Sequence, residues 1–484
     1  MRVLMVASEL FPLVKTGGLA DVAGALPRAL CRRGHDVRVL VPGYRGVLES
    51  AEDPGTPIPL GDPLGAGPAE LVPARLPGLD TPIYVLRCPA LYDRPGGPYL
   101  DPHGNDWTDN HLRFALMARA ATIMGVAGAP LGWAPQIIHA HDWQAGLVAA
   151  YLQLWGGARP ATVFTIHNLH FAGRFHPVLM SAVGLPHSLF SPYGVELYGA
   201  LSFLKAALYY SDRLTTVSPT YAREIQTAEY GEGLEGLLAA RGPHLHGILN
   251  GIDDEIWNPA TDPALSEHYD IENMAGKGRA KAALQKEMGL RPDPDAPVFG
   301  MVTRLTGQKG VDLVLANIPL LLQRGAQLVV LGSGAAAYEL GLAEAMRQNP
   351  GRIAYRNGYD EPLSHRIMAG SDFILVPSRF EPCGLTQMYA MRYGSIPVVR
   401  ETGGLADTVH DSWAHPGHGT GYSFRDATDW AMGNAMWRAM ESYGTPRHAE
   451  LRHRSMRRDF GWGPSAAKYE AVYDAALRAP ARLL

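Results

Sequence analysis

Short apolar runs recur along the first half of the chain, RVLMVAS, DVRVLVP, PIYVLRC, QIIHAHD, TVFTIHN and RLTTVSP, and most are followed by a stretch of helical character. Runs that are apolar at consecutive rather than alternate positions predict strands covered on both faces, which is how a parallel sheet flanked by helices reads. A polar stretch, GILNGIDDEIWNPATDPALSEHYD, interrupts the pattern. It restarts with a Lys- and Ala-rich helix near residues 276 to 288 and the strands PVFGMVTR, QLVVLGS, RIAYRNG, DFILVPS and IPVVRET. The spacing predicts two α/β units with a boundary between residues 245 and 265. Open parallel sheets bind ligands at the carboxyl ends of their strands, so the residues just after each run are where chemistry is expected.

Length and composition narrow the class. A chain of 484 residues exceeds the size at which one hydrophobic core keeps growing, in agreement with two units. The net charge of −4 gives no footprint for nucleic acid or an anionic membrane, and neither is expected as a partner. Every apolar run is broken well short of the ~20 residues of a membrane span. Cys31, Cys88 and Cys383 are too few and too scattered for a disulfide framework or a structural zinc site. The opening MRVLMVASE enters a strand with no leader pattern before it, so a cytoplasmic protein is expected.

Four segments carry candidate chemistry. The first, Lys15-Thr16-Gly17-Gly18-Leu19-Ala20-Asp21, precedes a helix running toward Arg33. Paired glycines let backbone N–H groups approach an anion, the helix N-terminus adds positive potential and Lys15 adds a full charge, so a diphosphate is the natural guest. A plain glycine turn beside a surface lysine is the alternative. Neither GxGxxG nor GxxxxGK[ST] is present, which weakens the dehydrogenase and P-loop readings.

The second comprises His139-Ala140-His141-Asp142-Trp143 and Thr165-Ile166-His167-Asn168-Leu169, at two strand ends. His139 and His141 share a strand face and could ligate a metal with Asp142, but no further Cys/His cluster accompanies them, and hydrogen bonding at the strand end is the preferred reading. His167 stands where a buried strand opens, able to bond a sugar hydroxyl or stabilise charge; a structural role is equally compatible. In the third, Thr303-Arg304-Leu305-Thr306-Gly307-Gln308-Lys309-Gly310, a guanidinium and an ammonium flank a turn and could converge on one diphosphate, or form a solvated basic loop. The fourth runs from Pro377-Ser378-Arg379-Phe380-Glu381-Pro382-Cys383-Gly384-Leu385-Thr386-Gln387 to Glu401-Thr402-Gly403-Gly404-Leu405-Ala406-Asp407. It offers the Glu381 carboxylate for sugar hydroxyls beside backbone amides at a helix start, with Cys383 as a packing residue rather than a nucleophile.

Taken in this order, the four segments resemble the bacterial glycogen synthase and plastid starch synthase family. The resemblance extends from Met1 through FGWGPSAAKYEAVY and includes Leu91-Tyr92-Asp93-Arg94-Pro95 and Ile248-Leu249-Asn250-Gly251-Ile252-Asp253. It implies an α/β fold of two Rossmann-like domains facing across a deep cleft, the GT-B arrangement. Residues 1–250 would form the acceptor side, 251–455 the nucleotide-sugar side and 456–484 a helix returning to the N-terminal domain. It also implies transfer of glucose from ADP-glucose to the non-reducing end of an α-1,4-glucan such as glycogen, with retention of configuration, release of ADP and no cofactor or metal.

Carried over residue by residue, the resemblance puts Lys15, Gly17 and Gly18 at the donor diphosphate and Arg304 and Lys309 at the charge developing on ADP. His167 would bind the donor glucose, and Glu381 with the segment Cys383, Gly384, Leu385 and Thr386 would hold sugar hydroxyls. Asp21, Asp142 and Asn250 would be neighbours, and Tyr92 would line the cleft. Retention by attack on the leaving-group face is favoured over double displacement, since no second carboxylate stands out. One departure is visible: where the family often has an aromatic, Gln and Gly, this chain has Phe171-Ala172-Gly173. The alternatives are a UDP-glucose-dependent transferase with another acceptor, against which the Lys15 loop argues, and a catalytically silent glucan-binding protein. A silent protein would have no need of both cation pairs and the carboxylate.

Overall fold

The computed structural model of the chain describes residues 1–50, 54–75, 81–126 and 132–478, and each apolar run named above is a strand in it. The chain divides into one unit of Met1–Gly251 with Trp462–Leu484 and a second of Ile252–Gly461.

The strands of the first unit are β1 (Arg2–Val6), β2 (Asp36–Pro42), β3 (Ile58–Gly61), β4 (Ala69–Ala74), β5 (Ile83–Arg87), β6 (Ile137–His141), β7 (Ala161–Ile166), β8 (Arg174–Phe175), β9 (Glu196–Leu197), β10 (Ala200–Ser202), β11 (Arg213–Thr216) and β12 (Leu245–Gly247). Nine form one sheet in the order β12-β11-β7-β6-β1-β2-β5-β4-β3, and β8, β10 and β9 form a small antiparallel sheet. Pairing is parallel from β12 to β5. β6 and β7 are buried at every position, as central parallel strands must be when helices cover both faces. β4 and β3 pair antiparallel at the edge, where Pro59 and Pro73 are tolerated because part of the ladder needs no donor there.

The second unit is built on β13 (Val298–Val302), β14 (Gln327–Gly332), β15 (Ile353–Asn357), β16 (Phe373–Val376), β17 (Ile396–Arg400) and β18 (Tyr422–Phe424), all parallel in the order β15-β14-β13-β16-β17-β18. Alternate residues of a strand serve opposite faces. Phe299, Met301, Phe373 and Leu375 lie in one buried cluster, and Val298, Ile374 and Val376 in the other. Phe299 and Phe373 are register partners whose rings stack at 4.8 Å. The expected helix at 276 to 288 spans Ala275–Glu287 and is tied down by Lys277, whose buried Nζ donates to the carbonyls of Ala369 and Ser371.

Counted in chain order, the parallel strands of both sheets run 3-2-1-4-5-6, with β12 added beyond the sixth in the first. This is the Rossmann order, and its switch point, where ligands bind, falls between β1 and β6 in one unit and between β13 and β16 in the other. The expected boundary at 455/456 differs from the observed 461/462. Residues 456–461 stay with the second unit, where Ile252 N–H donates to the Phe460 carbonyl at 2.8 Å. The helix Trp462–Arg478 lies on the first unit, bonded there from Ser465 Oγ to the Leu249 carbonyl at 2.6 Å and from Arg213 Nη2 to the Ala475 carbonyl at 2.9 Å. No helix among the described residues is long and apolar enough to cross a membrane.

Candidate active site

In the first unit the switch point brings together the loops after β1 and β6. Glu9, three residues past β1 and buried, accepts from Thr16 N–H at 2.6 Å, Thr16 Oγ1 at 2.5 Å and Gly17 N–H at 3.1 Å, while Tyr99 donates its hydroxyl to the same carboxylate at 2.6 Å. The expectation that the Gly17 amide faces a diphosphate is corrected by this contact. An internal carboxylate already takes the Thr16 and Gly17 N–H groups and holds the loop in shape. Gly18 opens the helix Gly18–Arg32, which has no side-chain cap, so its first turn keeps the N–H groups and positive potential an anion needs. Lys15 stands beside it, 2.9 Å from Asp21 in that turn.

At the end of β6, Asp142 has φ 56° and ψ 177°, a conformation L-residues rarely adopt and one that concentrates at functional sites. Its Oδ1 accepts the His167 N–H at 2.8 Å, so the β6 loop fixes the loop after β7. Burial, together with the charge of Glu9, pushes the Asp142 carboxyl up to about 7 against the pull of the His167 and Asn168 N–H groups. His167 is half-buried; its Nε2 meets His141 Nδ1 at 3.0 Å, and burial holds its imidazole down at about 3. A neutral ring at physiological pH is a hydrogen-bonding group, not a cation.

His139 and His141 are held by hydrogen bonds within the fold. His139 is fully engaged, Nδ1 with the Tyr473 hydroxyl at 2.8 Å and Nε2 with Thr165 Oγ1 at 2.6 Å, and among the described residues no group of three metal-binding side chains comes together. Tyr92 is a further correction. It is 1% exposed, its hydroxyl donates to the Arg113 carbonyl and its ring stands edge-on to Tyr44, so it supports the core and lines no opening. Asn250 is buried, with no hydrogen-bond partner for its Oδ1 among the described residues. Ala172 is buried too, its carbonyl accepting from Ser202 Oγ at 2.9 Å.

In the second unit the loops after β13 and β16 meet. Lys309 Nζ donates to Glu381 Oε2 at 2.5 Å and Ser378 Oγ donates to the same oxygen at 2.8 Å. Two glycines allow this. Gly310, at φ 68°, lies where a Cβ would strike the Pro377 carbonyl, and Gly403, at φ 44°, where one would strike the Glu381 carbonyl. Arg304 follows β13 by two residues, is exposed and has no side-chain partner among the described residues. The expected convergence of Arg304 and Lys309 is therefore not a contact in the structure. Gly384 has φ 71°, and the helix Thr386–Arg392 after it starts at Leu385 without a side-chain cap; Gln387 turns back to the carbonyls of Cys383 and Gly384. Cys383 is buried.

Glu9 and Ser378 are residues of this neighbourhood that the sequence did not single out as site groups; for His141 the sequence points to a strand-end hydrogen bond but does not name its partner, His167. An acid immediately after the first apolar run was the available signal for Glu9.

The starch synthase catalytic domain family matches residues 2–240 and the glycosyl transferases group 1 family residues 296–441. The chain is 50% identical to a glycogen synthase of Paramagnetospirillum magneticum across 98% of this chain and 97% of that one. It is 48% identical to a glycogen synthase of Rhodospirillum rubrum across 98% of each. Its structure resembles the catalytic domain of starch synthase IV of Arabidopsis thaliana, bound to ADP and acarbose, with a TM-score of 0.88, 34% identity and 99% of each chain covered. A sucrose-phosphate synthase of Thermosynechococcus elongatus shares the fold, with a TM-score of 0.58 at 17% identity. With half its residues shared along nearly its entire length, and with two Rossmann-like units of the GT-B class, the chain belongs to the glycogen synthase and starch synthase family of glycosyltransferases.

Proposed function

We propose that the protein is a cytoplasmic glycogen synthase that transfers glucose from ADP-glucose to the non-reducing end of an α-1,4-glucan with retention of configuration and without a metal. The observation that carries this reading is the Lys309–Glu381–Ser378 cluster at the carboxyl end of β16, beside the switch point. Glu381 Oε2 is committed to Lys309 and Ser378, which leaves Oε1 for a hydroxyl of the donor glucose. Lys309 is held in place by its ion pair and Arg304 has no competing side-chain partner among the described residues, so both can meet the negative charge that grows on departing ADP with little reorganisation. In the first unit Lys15 and the start of the helix at Gly18 supply further positive potential for the diphosphate. His167 offers a neutral imidazole to the sugar.

In this mechanism the bond between the anomeric carbon and the ADP oxygen breaks while the acceptor hydroxyl attacks on the same face, and the hydroxyl proton passes to the departing phosphate. Atoms and charge balance without a second carboxylate. Trapping of a glucosyl adduct on Glu381 would contradict it. The solved relative that carries ADP and acarbose supports a donor that leaves as ADP and a saccharide acceptor. The experiment is incorporation of labelled glucose into glycogen from ADP-glucose and, in parallel, UDP-glucose, in the presence of EDTA, with the linkage identified by digestion with an α-1,4-specific exo-hydrolase. ADP-glucose-dependent, α-linked label is expected. Preference for UDP-glucose, or a requirement for metal, would overturn the corresponding part of the reading.

A further inference from the structure

His167 has two ring nitrogens, and the residues behind it decide which one carries the proton. His141, at the end of β6, is wholly buried; its Nδ1 lies 3.0 Å from His167 Nε2. Its other nitrogen, Nε2, is buried with no hydrogen-bond partner among the described residues. The ring of His139 covers one face of His141 at 4.1 Å between centroids, yet both His139 nitrogens are spent on Tyr473 and Thr165 and offer His141 nothing. Nδ1 of His167 has no partner among the described residues and is not sealed inside the protein.

Two neutral arrangements satisfy the contact between the rings. In one, His141 carries its proton on Nδ1 and donates to a bare His167 Nε2. In the other, His167 donates from Nε2 and the His141 proton is forced onto its own Nε2, where an N–H would point into the interior with no acceptor. Orphaned buried N–H groups are among the rarest features of folded proteins, whereas an under-used acceptor is better tolerated. Burial keeps the charged imidazolium out of consideration at neutral pH, since it holds His139 at about 3 and His141 well below its ordinary value.

We propose that His141 is a positioning residue for the transfer reaction: its Nδ1–H donates to His167 Nε2 and fixes His167 as the Nδ1–H tautomer, a neutral donor aimed at an oxygen of the donor sugar. This rests on the reading of His167 as a sugar ligand. Free imidazole prefers the opposite tautomer, so without His141 the His167 ring would present a lone pair to the sugar for much of the time. The same contact locks the ring against rotation, because His167 Nε2 is anchored in the interior while its backbone N–H is held by Asp142.

The test is a two-bond nitrogen–proton correlation spectrum of protein labelled with nitrogen-15 histidine, the His167 signals being assigned by their loss in His167→Asn. A protonated Nδ1 and a bare Nε2 on His167 are expected in the wild type; the reverse pattern would overturn the proposal. Asn at 141 places an amide N–H close to where the His Nδ1 proton stood, and Phe places none. His141→Phe is therefore expected to lower kcat by about tenfold or more, with His141→Asn recovering at least part of that loss. Equal losses in the two variants would reduce His141 to a packing role and also overturn the proposal. If the Phe variant does not fold, the wild-type spectrum alone decides. If His167 is the Nδ1–H tautomer but His167→Asn transfers glucose normally, the reading of His167 as a sugar ligand fails and the tautomer assignment stands.

Discussion

Asp142 shows how one residue couples local strain to the site. Its positive φ costs on the order of 1–3 kcal/mol. The conformation persists because the Asp142 N–H bonds the Thr165 carbonyl at 3.0 Å and its carboxyl takes the N–H of His167. The carboxyl sits at about 7 when folded and at 3.8 in a free chain. Between those values the folded protein binds more protons than the unfolded one, so this residue makes stability fall as pH rises from about 4 to about 7 and adds no slope beyond. The difference in unfolding temperature between Asp142→Asn and wild type should therefore move in favour of the variant across that window. A difference that does not change with pH would mean the carboxyl titrates normally. Arg304 and Lys309 give a second contrast. Arg304→Ala removes an exposed side chain with no partner among the described residues and should leave thermal unfolding unchanged while lowering kcat by about 100-fold, the scale of losing one electrostatic stabiliser. Lys309→Ala strips the cation from Glu381, which is 8% exposed, and should lower both kcat and the unfolding temperature. The sequence exposed the residue types of the site, because Lys, Arg and Glu at strand ends have few bland explanations. It hid Glu9 and the pairing of His141 with His167, which exist only through the folded loops, and it misplaced Tyr92, since nothing in Leu91-Tyr92-Asp93 distinguishes a buried phenol from a lining one.

Loops set the site's shape, and glycines set the loops. Gly17 and Gly310 look alike in sequence but differ in what surrounds them. Gly17 has extended backbone, φ −161°, and a Cβ there would meet nothing within 4 Å. Gly17→Ala should fold and unfold as wild type does, so any rise in the KM for ADP-glucose would report the ligand side of the loop. Gly310 is left-handed and abuts Pro377. Gly310→Ala should cost about 1–3 kcal/mol of stability in denaturant titrations and pull Lys309 out of register with Glu381. Among the strands, consecutive apolar residues were a sufficient signal for the central parallel ones. β3 and β4, interrupted by prolines, and β8 to β10, each two or three residues long, carry too little periodicity to be read from a sequence.

Two sheets with the same strand order, built from sequences with no visible repeat, put the candidate residues at corresponding places in the two units: Glu9, Lys15 and Asp142 around the switch between β1 and β6, and Arg304, Lys309 and Glu381 around that between β13 and β16. The α/β class and the presence of two units were legible because the hydrophobic pattern stops and restarts. The second crossing, at 461/462, was less so, because the helix Pro446–Met456 stops five residues before it, and the irregular residues 457–461 are assigned to the second unit by tertiary contacts, the pairing with Ile252 and the packing of Phe460 on that unit's core. Beyond that crossing the helix Trp462–Arg478 reaches the interior of the first unit through Tyr473, whose hydroxyl meets His139. Tyr473→Phe leaves that buried nitrogen without its partner and should destabilise by about 1–3 kcal/mol, read as an earlier first transition in thermal unfolding.

The most direct measurement compares wild type with Glu381→Ala for glucose incorporation into glycogen from ADP-glucose, with thermal unfolding recorded on the same preparations. A folded variant with kcat reduced by about 100-fold or more is the expected result. A folded variant that still transfers glucose at the wild-type rate would contradict the assignment of the Lys309–Glu381 cluster as the centre of the reaction.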